Sequence, residues 1–230
     1  METEGFSAVR FTDFSASGHR FPAMNRCAIF SRPLNADFSG KATLNLKLGH
    51  PTTMEDIERR AARIKLLLLD CDGVLTDGTI TLLESGNEQK SFDVRDGQGI
   101  VLLHRAGLRS GIISGRTSSS VTRRALELGM DLKLVRQGTL DKIKDFNELL
   151  AVAGVREHEV AFIGDDVTDI PLLQRVELSV AVADAVPETL SVVHYVTRAR
   201  GGHGAVREVA ELILKAQGHW NSLMQRYFTL

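Results

Sequence analysis

The sequence predicts an α/β fold: a Rossmann-like parallel sheet with helices on both faces, a β-hairpin flap and no cap domain. Three observations point there. A short continuous apolar run at 66–69 ends abruptly in polar residues, as expected of a strand buried on both faces. Downstream, apolar runs of strand length alternate with segments of helical period, the pattern of βαβ units. Between these elements no insertion is large enough for a second domain.

Residues 1–53 stand apart. Phe6, Phe11, Phe14, Phe21 and Phe30 are scattered among Ser, Gly, Pro and Arg with no period of a helix or strand, which reads as a disordered or loosely attached extension. An alternative start at Met54 is equally consistent, because the chain from there runs straight into the first strand. A targeting segment is a further reading, opposed by Glu2 and Glu4. The domain proper is expected over 54–230. Its first strand stops at Asp70-Cys71-Asp72, and Gly73 permits a sharp turn.

Two extended segments follow, 79–84 and 89–94, around Ser85-Gly86-Asn87-Glu88, a candidate hairpin forming a flap over about 79–94. A helix is expected at 100–106, ended by Gly107, then a strand at 109–113 ending in Ser114-Gly115-Arg116. A helix at 118–128 is closed by Gly129, and a strand is expected at 132–135. The helix at 141–153 sets Ile143, Phe146, Leu149 and Leu150 on one face. A strand at 160–163 leads into Gly164-Asp165-Asp166, followed by a short helix at 170–176, a strand at 178–182 and an edge strand at 195–197. A glycine-rich tail begins at Gly201, and a closing helix at 205–216 has Val206, Val209, Ala210 and Ile213 on one face.

Composition narrows the function classes. With 230 residues, 43% of them hydrophobic and 25% charged, the chain can bury one ordinary core. A net charge of −1 gives no electrostatic case for nucleic acid or a membrane surface. No apolar run approaches the length of a membrane span. Cys27 and Cys71 have no zinc-site spacing, and Cys71 lies between the two aspartates. A reducing, cytoplasmic setting is therefore expected.

Four strand ends carry polar residues where a parallel sheet presents its ligands. They are Asp70 with Asp72; Ser114-Gly115-Arg116; Lys142, at the start of a helix; and Asp165-Asp166 with Asp169. Side chains alternate along a strand, so Asp70 and Asp72 share a face and repel unless a cation or proton lies between them. A bare D-x-D also fits a solvated pair, and a lone Ser-Gly or helical Lys also fits a structural role. The four together, in this order, are far more specific.

The first stretch resembles D-x-D-G-x-[LVT]-x-D-G of the haloacid-dehalogenase-like phosphatases, and the four clusters match the four motifs of that superfamily over residues 64–216. That resemblance implies phosphoryl transfer with Asp70 as nucleophile and Asp72 as general acid and base. Lys142 and Mg²⁺ then serve as counter-charges, the metal held by Asp70, the Asp72 backbone carbonyl and Asp165. Ser114 and the Gly115 amide donate to the phosphoryl group in this picture, and Asp166 or Asp169 support Lys142 or a metal-bound water. Dehalogenases and phosphonatases of the superfamily lack a carboxylate at the Asp72 position, so its presence points to a phosphatase.

Further stretches resemble the capless branch, and within it the 3-deoxy-D-manno-octulosonate 8-phosphate phosphatases: F-D-V-R-D-G at 92–97, I-S-G-R at 113–116, Q-G-T-L-D-K at 137–142, S-V-A-V-A-D-A at 179–185, and Y-V-T-R at 195–198 with G-G-H-G-A-V-R-E-V at 201–209. The likeness implies an acidic sugar phosphate as substrate, a role in lipopolysaccharide precursor biosynthesis, and a homotetramer assembled through the hairpins. Asp72, Asp93, Arg95, Asp96, Gly97, Arg116 and Arg124 are then the candidate substrate contacts, the arginines because guanidinium pairs with planar anions. His203 and Val101 depart from the pattern. A nine-carbon sialic-type acid 9-phosphate therefore remains an alternative substrate, and a non-catalytic partner of a sugar-nucleotide synthetase an alternative class.

Overall fold

Leu66–Leu69 (β1) is fully buried and sits in the middle of a six-stranded parallel sheet. The computed structural model describes residues 52–84, 86 and 88–228; the readings offered for 1–51, and for Ser85 and Asn87 of the hairpin turn, lie outside the described residues. The other strands of the sheet are Arg109–Ser114 (β4), Val135–Gln137 (β5), Val160–Gly164 (β6), Leu178–Ala181 (β7) and Tyr195–Val196 (β8). Thr81–Leu82 (β2) and Glu88–Gln89 (β3) form a separate antiparallel hairpin. The spatial order is β5-β4-β1-β6-β7-β8. The chain builds outward from β1 on one side, then returns to the other side at β6. That reversal leaves a crevice at the carboxyl ends of β1 and its neighbours.

Alternation along β1 explains the two cores. Leu67 and Leu69 face one side, Leu66 and Leu68 the other. The first side is covered by Met54–Ala61 (α1), Val94–Arg105 (α2), Ser119–Glu127 (α3), Ala205–Ala216 (α7) and Trp220–Phe228 (α8). The second is covered by Lys142–Ala153 (α4) and Ile170–Leu173 (α5), through Phe146, Leu149, Leu172 and Leu173. Truncating a β1 leucine to alanine would cost about 2–5 kcal/mol, because the packed layers on both sides cannot collapse into the space. The short helix Pro187–Leu190 (α6) lies between β7 and β8. Among the described residues only the hairpin is inserted between β1 and α2, as the capless expectation requires.

Three sequence expectations are corrected. Helix α2 begins at Val94, well before the expected residue 100, and takes in Arg95, Asp96 and Gly97. Asp93 caps it by accepting from the Arg95 N–H at 2.6 Å. Its glycines are tolerated because neighbouring helices press close: a Cβ at Gly97 would lie 2.2 Å from Arg124 Nη2, and one at Gly99 3.0 Å from the Arg207 Cα. Packing thus overrides the low helix propensity of glycine. Residues 132–134 form a 3₁₀ turn, capped by Asp131 accepting from Lys133 N–H at 2.9 Å, so the strand starts only at Val135. Helices α1, α6 and α8 lie outside the sequence expectations; each is short, at eight, four and nine residues.

Candidate active site

Asp70 is the residue immediately after β1, and its backbone N–H still donates to Ile163 of β6 at 3.0 Å, which fixes it at the sheet edge. Asp165 follows β6, and Ser114 ends β4, buried at 2% exposure. Lys142 is brought to the same edge by the α4 N-terminus. Asp141 accepts from the Ile143 and Lys144 amides at 3.0 Å each, and this cap sets Lys142 as the first helical residue. These side chains line a cavity of about 660 Å³ together with Asp72, Gly115, Arg116 and Asp166.

At its floor the Lys142 ammonium donates to Asp70 Oδ1 at 2.7 Å and to Asp169 Oδ1 at 2.6 Å. Asp169 is fully buried, and its other oxygen accepts from the Asp165 and Asp166 amides at 3.0 and 3.4 Å. Burial alone would push the lysine down. The two carboxylates outweigh it and hold the ammonium above its ordinary value. Burial drives Asp70 up to about 6, with Lys142 opposing and Asp169 reinforcing the shift. Asp165 goes up to about 7, through burial first and then the neighbouring Asp70, Asp169 and Asp166 carboxylates. Cys71, buried on the opposite side, is pushed to about 12 by burial and is a packing residue.

Carboxylate oxygens of Asp70, Asp165 and Asp169 converge within 4.8 Å of one another. Asp169 is already engaged by Lys142 and two amides, whereas Asp165 has a carboxylate crowded by like charge, with no ion pair of its own among the described residues and only the neighbouring Lys142 charge in opposition. Such an all-oxygen set suits a hard divalent cation, which would relieve that repulsion. The residues therefore fit a metal.

The substrate candidates divide. Asp72 and Arg116 line the cavity. The Lys90 side chain is only 3% exposed and its ammonium donates to Asp72 Oδ1, and Arg116 pairs with Glu88 of the hairpin. Lys90 and Glu88 were missed from the sequence. Glu88 opens β3 and Lys90 lies just past its end, and no local pattern marks either as facing Arg116 or Asp72. Asp93, Arg95, Asp96, Gly97 and Arg124 do not line this cavity. Arg95 is held by Asp93 at 2.6 Å and by the His203 carbonyl at 3.1 Å. Asp96 is buried and accepts from the Gly204 and Arg207 amides at 3.1 and 2.8 Å, capping α7. Arg124 lies 6.0 Å over the Phe92 ring.

Known proteins are similar to this chain in sequence and fold. A model of haloacid dehalogenase-like hydrolases matches residues 132–209. The 3-deoxy-D-manno-octulosonate 8-phosphate phosphatase of Yersinia pestis is 48% identical over 163 residues, covering 71% of this chain and 86% of that protein. The Escherichia coli K12 phosphatase of the same name is 42% identical over 178 residues, covering 77% and 94%. The solved phosphatase of Moraxella catarrhalis, in complex with a magnesium ion, a phosphate ion and KDO, is 38% identical. It superposes at a TM-score of 0.73, with 76% of this chain and 99% of that one covered. With the strand-end carboxylates and lysine in place and relatives of this similarity over nearly their whole length, the chain belongs to the haloacid dehalogenase-like hydrolase family, among its phosphoric monoester hydrolases.

Proposed function

We propose that this chain is a Mg²⁺-dependent phosphatase that hydrolyses 3-deoxy-D-manno-octulosonate 8-phosphate to the free sugar acid and phosphate, a reaction of lipopolysaccharide precursor biosynthesis. The observation that carries the reading is the Asp70–Lys142–Asp169 chain of contacts beside Asp165, a nucleophile with its counter-charges in one cavity. The substrate is taken from the relatives, several of which carry that activity in their names.

In the proposed reaction an Asp70 carboxylate oxygen attacks phosphorus in line, and the bond from phosphorus to the sugar oxygen breaks. Asp72 gives its proton to the departing alkoxide. It then takes one from the water that attacks the aspartyl-phosphate, returning Asp70 and releasing phosphate. Lys142 balances charge on Asp70 and on the transferring group, while the Ser114 hydroxyl and the Gly115 amide donate to phosphoryl oxygens. Asp70, Asp165 and the Asp72 backbone carbonyl would hold the metal, which supplies charge neutralisation of the phosphoryl oxygens. Asp166 supports the Asp165 loop.

Arg116, which lines the cavity, and Lys90, which pairs with the cavity residue Asp72, are the proposed contacts to the acidic sugar; each is paired with a carboxylate that an anionic ligand could replace. Asp96 and Gly97 are withdrawn as substrate contacts, since one caps α7 and the other is packed under Arg124. Asp93, Arg95 and Arg124 would reach a substrate only across a subunit boundary. A homotetramer through the hairpin is proposed accordingly: Ile80, Leu82 and Leu83 are 48%, 70% and 44% exposed on a two-stranded hairpin that is marginal on its own. A cytoplasmic location is proposed from the free Cys71; no helix among the described residues is long and apolar enough to cross a membrane.

Specificity constants for the octulosonate 8-phosphate and a nine-carbon sialic-type acid 9-phosphate, compared side by side with Mg²⁺, test the substrate. The octulosonate is expected to be preferred. A preference for the nine-carbon acid or a simple hexose phosphate would overturn the substrate assignment.

A further inference from the structure

The tail turn at 200–204 takes no part in the proposed chemistry, yet it lies directly on the loop that follows the nucleophile. The Gly202 N–H donates to the Val74 carbonyl at 2.9 Å. A Cβ placed on Gly201 would stand 1.7 Å from the Gly73 carbonyl oxygen and 3.3 Å from that of Thr76. Gly73 has φ +92, and a Cβ there would lie 2.0 Å from Asp165 Oδ2. Three layers are thus stacked with no side chain between them: the Gly201 backbone, the Gly73 backbone and the Asp165 carboxylate.

The turn is clamped from behind at both ends. The Gly201 N–H donates to Asp184 Oδ1 at 2.9 Å, and Asp184 also pairs with Arg200 at 3.3 Å. At the other end the Gly204 and Arg207 amides donate to Asp96. The segment carrying Asp184 grips Asp165 as well, because the Val186 N–H donates to the Asp165 carbonyl at 2.9 Å. One short stretch therefore ties the tail turn to the Asp165 backbone while the turn presses on Gly73.

We propose that Gly201 is a positioning residue for the divalent-metal site. Its bare backbone lets the clamped tail turn hold the nucleophile loop at a fixed distance from Asp165, and that distance sets the metal affinity. The inference rests on the reading of Asp70 and Asp165 as the metal-holding pair. Gly201 does not have a positive φ, so alanine is acceptable to its own backbone; the effect of Gly201→Ala comes from the added methyl alone. That methyl forces Gly73 and the turn apart by roughly an ångström or more, given ordinary carbon contact distances.

Mg²⁺ binding by titration calorimetry, with melting in chelator as a separate readout, tests this on the full chain and on Gly201→Ala, Asp184→Ala and Asp165→Asn. Gly201→Ala is expected to weaken Mg²⁺ binding about tenfold or more, as a displaced supporting shell does. Asp184→Ala, which frees the turn without touching the cavity, is expected to weaken it by a few-fold, and Asp165→Asn to abolish it. Activity of the first two should return as Mg²⁺ is raised, which a purely structural defect would not do. If Gly201→Ala does not fold, Asp184→Ala decides alone. Wild-type Mg²⁺ affinity in the folded variants, with binding lost in Asp165→Asn, overturns the role of Gly201. Wild-type affinity in Asp165→Asn overturns the metal reading beneath it.

Discussion

Lys142 Nζ lies 2.7 Å from Asp70 Oδ1, although the two residues come from the start of a helix and the end of a strand far apart in the chain. Both side chains are about nine-tenths buried, at 12% and 10% exposure. The pairing keeps the proposed nucleophile close to a fixed positive charge in a site that otherwise gathers carboxylates. Removing that charge has consequences for both folding and chemistry.

Lys142→Met is expected to destabilise the protein by about 3 kcal/mol, because Asp70 and Asp169 are left as buried carboxylates without their cation. Phosphatase activity in the same variant should fall by about 10²-fold or more, the scale for losing one charged contact to a developing transition state. Urea unfolding and phosphate release measure the two effects separately. Near wild-type activity would remove Lys142 from the mechanism.

The carboxylate cluster predicts a pH dependence in the metal-free protein. Asp70 and Asp165 are raised to about 6 and about 7, so between about pH 4 and pH 7 the folded chain retains protons that the unfolded chain has released. Their contribution to stability is present at low pH and is lost as pH rises through that window. His104 and His194, held below their ordinary value chiefly by burial, act in the opposite sense at acid pH. The difference between wild type and Asp165→Asn isolates the carboxylate. In chelator at pH 8, Asp165→Asn is expected to be more stable than wild type by about 2 kcal/mol, allowing for partial exposure, and to lose that advantage near pH 4. Equal stability at pH 8 would contradict the strained cluster.

Asp96 gives a contrasting prediction. It caps α7 through two amides, so Asp96→Ala should cost about 1–3 kcal/mol in stability. KM for the sugar phosphate at saturating Mg²⁺ should be unchanged. A large rise in KM without loss of stability would restore Asp96 as a substrate contact.

The proposed tetramer is checked by mass in solution. A tetrameric mass is expected for the wild type, and Leu82→Asp, at an exposed position of the hairpin, should lower it while leaving the monomer folded. A monomeric wild type would remove the hairpin interface and the subunit-shared contacts with it.

The strand ends were legible in the sequence because β1, β4 and β6 are short apolar runs, and a parallel sheet puts all their carboxyl ends at one edge. Asp70, Ser114 and Asp165 can therefore be gathered without a structure, and the helix expected over 141–153 adds Lys142 at its start. The start of α2 was not legible. Gly97 and Gly99 argue against a helix locally, and only the approach of Arg124 and of α7 shows why small residues are needed there. Asp96, expected just past an extended flap, is instead turned inward to α7, a contact that the local sequence does not show. Lys90 escaped notice because its contact with Asp72 depends on how the hairpin folds back over the cavity, which spacing alone does not encode.

The most direct test of the account is Mg²⁺-dependent phosphate release from 3-deoxy-D-manno-octulosonate 8-phosphate by the wild type and by Asp70→Asn, a nearly isosteric change at the attacking oxygen. Robust release by the wild type, abolished by chelator, is expected, with a loss of about 10³-fold or more in the variant. Full activity in Asp70→Asn would contradict it.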